Sequence, residues 1–180
     1  LTEEALEAEG SGRGELVLLP HFYGSGPPWG RRYAFGAFAG LRLQHNRGDI
    51  ILGLLRGVAA QTAAALETMT RAGYEVDALR MIGGGARSEY WAQLVADASG
   101  HPVSLPSVTE AAALGAAMLA AIGAGALPDV HAAGRLIAIH HHVQPRANAG
   151  GLTPATMGEY VEALDATWRA LADYHARRGM

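Results

Sequence analysis

The most informative stretch of the sequence is Leu79-Arg80-Met81-Ile82-Gly83-Gly84-Gly85-Ala86-Arg87-Ser88. A short apolar run ends in three glycines, and an amphipathic segment follows at 89–98, which predicts a strand, a glycine turn and a helix. Glycines permit positive φ and let a ligand approach without meeting a Cβ atom. A helix that begins there, with Ser88 as a suitable N-cap, directs free N–H groups at the turn. The stretch predicts a nucleotide or phosphate site, and a ligand-free packing turn is the alternative.

Length and composition are those of one globular domain. The 180 residues are 49% hydrophobic, which suffices for a full core, and the net charge is −3 without a basic stripe. Nucleic acid is therefore not expected as a partner. The absence of cysteine excludes disulfides, thiolate catalysis and thiolate metal sites, and we expect a cytoplasmic location.

The first residues suggest a longer protein. They include neither an initiator Met nor the basic and apolar regions of a signal peptide. We expect residues 1–15 to be a linker or tail from an N-terminal domain outside this chain, and residues 16–180 to form the domain. The apolar stretch 50–65 is interrupted by Arg56 and Gln61, so we expect no membrane span.

The pattern of apolar residues predicts alternating strands and helices, which indicates a layered α/β domain. Strands are predicted at 16–19, 35–41, 78–82 and 102–105, and helices at 49–72, 88–98, 110–122 and 156–178. Asp49 is predicted to cap the long helix, whose apolar stripe is Ile51, Leu55, Val58, Thr62, Leu66 and Met69. Gly53 and Gly57 share a face that would let another element approach closely. Ser107 or Thr109 is predicted to cap the alanine-rich helix.

Two other site types are weaker interpretations of the sequence. A dinucleotide fingerprint would fit Gly83-x-Gly85-x-x-Ser88, but it requires an acidic residue about twenty positions on. The region 103–106, where that residue is expected, has no carboxylate, and the next one is Glu110. Glu110 itself suits the first turn of a helix without any catalytic role. The run His140-His141-His142 does not converge on one metal ion in a regular element, because neighbouring side chains point to different sides. It is predicted to be a polar edge or loop.

Four segments in register resemble the C-terminal half of the FGGY carbohydrate kinases. They are Leu18-Leu19-Pro20-His21-Phe22-Tyr23-Gly24 with Pro28-Trp29, Gly36-Ala37-Phe38-Ala39-Gly40-Leu41 with Asp49-Ile50 and Leu55-Arg56-Gly57-Val58-Ala59, the glycine turn with its helix at 81–97, and Glu110-Ala111-Ala112-Ala113-Leu114-Gly115. Arg56 departs from the family pattern, which usually has an acidic or amide residue there.

The resemblance implies a ribonuclease H-like (actin-like ATPase) fold, the C-terminal domain of a two-domain sugar kinase with ATP between its domains. Gly83, Gly84, Gly85 and Ser88 are then the nucleotide-binding residues: Gly84 and Gly85 would pass beneath the nucleotide and Ser88 would touch the base or ribose. Serine at this position resembles pentulose kinases, whereas glycerol kinases have asparagine.

The same resemblance assigns the remaining machinery to the missing N-terminal domain. That domain would hold most of the sugar site, the general-base Asp and, together with the phosphates, Mg²⁺. The expected activity is ATP-dependent phosphorylation of a pentulose or polyol by the full-length kinase, and this chain is expected to be inactive alone. A non-catalytic α/β binding domain and an NAD(P)-binding domain are the alternatives. The oligomeric state stays open, a homodimer included.

Overall fold

The computed structural model describes residues 2–13, 16–24, 36–147 and 154–179. Its helices are α1 (Thr2–Glu9), α2 (Arg47–Arg71), α3 (Glu89–Ser99), α4 (Ala111–Gly123), α5 (Val130–Gly134) and α6 (Pro154–Arg178). Its strands are β1 (Val17–Leu19), β2 (Ala37–Ala39), β3 (Leu79–Arg80), β4 (Val103–Pro106) and β5 (Ile139–Val143). Pro28, Trp29 and Phe35, for which the sequence made predictions, lie outside the described residues.

The strands form two small sheets, one of two strands and one of three. β1 pairs antiparallel with β2, while β3 lies parallel to β4, and β5 closes the second sheet antiparallel to β4. The core forms where α2, α3, α1 and β4 meet, around side chains such as Leu52, Leu94, Val103 and Leu105. The predicted α/β layering is confirmed, and the predicted third strand is shorter, at Leu79–Arg80.

α2 begins two residues earlier than the sequence predicted. Asn46 is the N-cap, and its Oδ1 accepts from the Gly48 and Asp49 N–H groups at 2.8 and 3.3 Å. Asp49 returns the bond by accepting from the Asn46 N–H at 2.7 Å. The two residues form a capping box, so the assignment of Asp49 as the cap was wrong.

The predicted closeness of Gly53 and Gly57 to another element is confirmed. A Cβ at Gly53 would lie 3.0 Å from the Leu16 carbonyl oxygen, and one at Gly57 would overlap the Leu18 carbonyl oxygen. The predicted apolar stripe is only partly the buried face: Leu66 is buried, whereas Met69 is 45% exposed. The deeply buried face consists of small residues with Leu52 and Arg56, because β1, α1 and α3 approach closest where side chains are short.

By length and composition alone, α2 is long and apolar enough to cross a membrane, although the shorter run 50–65 did not suggest it; a buried core helix can have the same length and composition. Half of its most apolar 18-residue window is buried inside the molecule. Helices α1, α3 and α6 and strand β1 all pack against it. These neighbours give α2 the surroundings of a core helix.

Three further segments can be compared with the predictions. Residues 2–9 form helix α1, and its Ala5 and Ala8 are buried in the core; the domain boundary at residue 15 stays a prediction. α4 begins after Glu110, which makes no side-chain capping bond, so neither Ser107 nor Thr109 caps it. The histidine run lies on β5, where all three side chains are exposed, as expected of a polar edge.

Candidate nucleotide-binding turn

Gly83 fixes the start of the turn. Its φ of 75° and ψ of −162° lie in a region that is essentially restricted to glycine. Its N–H donates to the Thr109 carbonyl oxygen at 3.0 Å. The turn is therefore attached to the segment that leads into α4.

A single 3₁₀ turn, Gly84–Arg87, then leads into α3. The Ala86 N–H donates to the Gly83 carbonyl and the Ser88 N–H to the Gly85 carbonyl, both at 3.1 Å. Ser88 Oγ accepts from the Trp91 N–H at 3.2 Å, which confirms Ser88 as the N-cap of α3. Its predicted contact with a nucleotide remains a prediction.

The three glycines of the turn have different physical reasons to be glycine. Gly83 needs its positive φ. A Cβ on Gly85 would come within 3.2 Å of the Trp91 ring, so Gly85 lets that ring pack beneath the turn. Gly84 has neither constraint: its φ is negative, it is exposed, and a Cβ there would meet nothing within 4 Å. Close approach of a ligand would account for glycine at this position.

A pocket of about 360 Å³ opens beside the turn. Its walls come from α2, β3, the turn and α3, and include Val58, Met81, Ile82, Gly85 and Trp91. The Trp91 Nε1 is buried and makes no hydrogen bond within the described residues. A mostly apolar pocket next to the start of a helix suits a flat aromatic group that carries a polar or charged tail.

An ion pair at the rim of the turn was not anticipated from the sequence. Arg87 Nη2 lies 2.8 Å from Glu110 Oε1, and both side chains are about two-thirds exposed. The ion pair with Arg87 gives Glu110 a structural partner and requires no catalytic role for it. Spacing could not have found this pair, because its members are 23 positions apart in the sequence and a whole helix and a strand lie between them.

The described residues do not fit a resident metal ion. They include no group of three or more His, Asp or Glu side chains placed to hold one. His142 instead shares a 3.1 Å hydrogen bond with Ser104 Oγ on the neighbouring strand. Any Mg²⁺ that acts with this turn would need its ligands from phosphates or from another part of the protein.

Known proteins resemble this chain in sequence and in fold. Residues 1–124 match the model of the FGGY family of carbohydrate kinases, C-terminal domain. The glycerol kinase of Clostridium perfringens is 37% identical over 117 residues, which are 64% of this chain and 23% of that protein.

Solved structures of kinases also resemble this chain in fold. Xylulose kinase from Rhodospirillum rubrum has a TM-score of 0.69 at 29% identity, covering 98% of this chain and 33% of that one. Glycerol kinase from Plasmodium falciparum, solved with ADP, shares the fold with a TM-score of 0.69 at 19% identity, covering 91% of this chain and 33% of that one.

Both kinds of match cover only part of these longer kinases. This chain spans about a quarter to a third of their length. The predicted ribonuclease H-like (actin-like ATPase) fold is confirmed by these neighbours. The chain therefore belongs to the FGGY family of carbohydrate kinases, with the fold of its C-terminal domain.

Proposed function

We propose that this chain is the nucleotide-binding half of a kinase that transfers phosphate from ATP to a sugar or polyol. The observation that carries the proposal is Gly84, an exposed glycine before a helix start that neither its conformation nor its packing explains. Gly83, Gly85 and Ser88 hold the backbone around it. ATP or ADP would lie across Gly84, with its base toward the pocket lined by Ile82 and Trp91.

The acceptor is proposed to be a pentulose or a polyol. The relatives named glycerol kinase and xylulose kinase support this class together. Ser88 in place of asparagine favours a pentulose within it. The residues that would choose between these acceptors belong mostly to the rest of a full-length kinase.

We further propose that this chain alone does not catalyse phosphoryl transfer. The reaction depends on positioning and charge stabilisation from both sides of the transferred group. We place the general-base Asp in the N-terminal domain that the family resemblance assigns to a full-length kinase. Nucleotide binding by the isolated chain is accordingly expected to be weak.

A parallel titration tests the proposal. The ¹⁵N-labelled chain is titrated with ADP and, separately, with NAD to millimolar concentration, and amide chemical shifts are followed by NMR. We expect ADP to shift the amides of residues 83–88 and NAD to leave them unchanged. ATP consumption is then assayed with xylulose, ribulose and glycerol, and we expect none above the no-sugar blank.

Three results would contradict these proposals. Equal responses to ADP and NAD would favour the dinucleotide alternative. No response to either would favour a binding domain that keeps the turn without its ligand. Sugar-dependent ATP consumption by the isolated chain would refute the inactivity of this half alone.

A further inference from the structure

Helix α3, which carries the turn at its N-terminus, is held by polar contacts at both ends. In its first turn, the Tyr90 hydroxyl donates to Glu9 Oε2 on α1 at 3.2 Å. In its last turn, the Asp97 carboxylate accepts from Arg146 Nε and Nη2 at 2.8 and 2.7 Å and from the Arg146 N–H at 2.7 Å. Gln93 adds bonds of 2.9 Å to Asp97 and to the Gln144 carbonyl.

The two ends are connected through Glu9. Glu9 Oε1 lies 3.7 Å from Arg56 Nη2 on α2 and 4.0 Å from Arg146 Nη2. Glu9 and Arg56 are 18% and 10% exposed, and Asp97 is fully buried. One network thus connects α1, α2, α3 and the segment after β5.

Opposite charges face one another in this network. Two carboxylates, Glu9 and Asp97, face two guanidinium groups, Arg56 and Arg146. Arg56, which departs from the family pattern, therefore has a partner of opposite charge on α1.

Tyr90 is the member of the network nearest to the turn. It lies two residues after Ser88, within the same helical turn as the Ser88–Trp91 capping bond. An 11-residue helix is a rigid element about 16 Å long, so a contact that holds its first turn also holds its N-terminus in place. The bond to Glu9 therefore restrains Ser88 and the glycines before it.

We propose that Tyr90, through its hydrogen bond to Glu9, is a positioning residue for the turn at 83–88. This deepens the proposed function and rests on it for the consequence in nucleotide binding. Loss of the bond leaves the chain folded but lets the N-terminal end of α3 move. The turn then spends less time in the geometry that receives a nucleotide.

The test compares Tyr90→Phe, Glu9→Ala and the double variant with the natural chain. Tyr90→Phe removes only the hydroxyl. We expect its ADP dissociation constant to rise about fivefold, and amide hydrogen exchange at Ser88 and Trp91 to accelerate more than at the α2 amides. We expect the double variant to bind ADP no more weakly than Glu9→Ala, because the two side chains act through one bond.

Two controls separate positioning from general stability. Leu18→Val trims a buried side chain of β1 outside the core cluster that holds α3, and it should lower stability without changing ADP affinity. Tyr74→Phe removes a hydroxyl from a side chain that is 64% exposed and should change neither.

The outcomes distinguish this proposal from the proposed function. In one outcome, the natural chain fails to bind ADP while Tyr90→Phe still accelerates amide exchange at Ser88 and Trp91. That result would support the positioning role of Tyr90 and contradict nucleotide binding by the isolated chain. Unchanged exchange at those amides in Tyr90→Phe would overturn the positioning role, whatever ADP does. Additive effects in the double variant would also overturn it.

Discussion

At the residue scale, the glycine turn offers a test in which folding and binding separate. Gly84→Ala should change the free energy of unfolding by less than about 0.5 kcal/mol, because the new methyl group meets no protein atom and φ is already negative. The same methyl group would stand between the backbone and a nucleotide. We expect ADP affinity to fall about tenfold, or about 1.4 kcal/mol, measured by NMR titration beside urea unfolding.

Gly85→Ala is the matched control for this substitution. Its Cβ would press on the Trp91 ring, so it should lower stability as well as binding. A Gly84→Ala variant that binds ADP like the natural chain would remove the main support for a ligand at this position. One that unfolds easily would show that Gly84 has a structural role after all.

The residues of the turn also show what a sequence can predict locally. Ser88 was identified as a cap from its position before an apolar periodic segment, and the structure confirms it. Asp49 was misassigned by the same reasoning, because Asn46 three residues earlier is an equally good cap and a capping box uses both. The Arg87–Glu110 pair had no local signal, since its partners meet only after the chain folds.

At the element scale, replacing glycine by alanine should have opposite effects at two positions. Gly57 in α2 packs closely on β1, whereas Gly115 in α4 has open space where a Cβ would lie. Glycine inside a helix normally costs about 1 kcal/mol relative to alanine. Gly115→Ala in α4, where a Cβ meets nothing within 4 Å, should therefore raise the free energy of unfolding by about that amount. Gly57→Ala should lower it by about 1–3 kcal/mol, because its methyl group would overlap the Leu18 carbonyl. Urea unfolding of both variants measures the difference.

Gly53→Ala provides an intermediate case if Gly57→Ala fails to fold. Its Cβ would lie 3.0 Å from the Leu16 carbonyl oxygen, so a smaller loss is expected. Stabilisation of α2 by alanine at both glycines would contradict the close approach of β1.

The same packing explains which elements the sequence predicted poorly. The spacing of Gly53 and Gly57 indicated the close approach correctly, but the stripe of large side chains did not identify the deepest face of α2. Small residues define that face, and they give a weak hydrophobic signal. Strand β5 was missed for a related reason: His140, His141 and His142 occupy its centre, and its pairing with β4 depends on residues nearly forty positions away.

At the scale of the whole molecule, the network around Glu9 connects segments that no sequence pattern relates. Tyr90 and Glu9 are 81 residues apart, and Arg146 and Asp97 are 49 apart. The order of strands and helices could be predicted because those signals are local and repeated, and the family was indicated separately by the resemblance of four segments. The polar contacts that hold α3 could not, because they arise only when α1, α2 and the segment after β5 meet.

This network also makes stability depend on pH in the alkaline range. Burial and the neighbouring Glu9 carboxylate raise the pKa of Tyr90 well above its ordinary value. The neutral hydroxyl thus contributes stability that is complete below about pH 10 and is lost above it, as the unfolded chain releases the proton that the folded chain keeps. All 14 basic residues are arginine, so no lysine titrates in this range.

We expect the free energy of urea unfolding to fall above pH 10 in the natural chain, and less steeply in Tyr90→Phe. Tyr74→Phe should keep the natural decline, and identical slopes for the natural chain and Tyr90→Phe would show that Tyr90 is not held by Glu9 in solution.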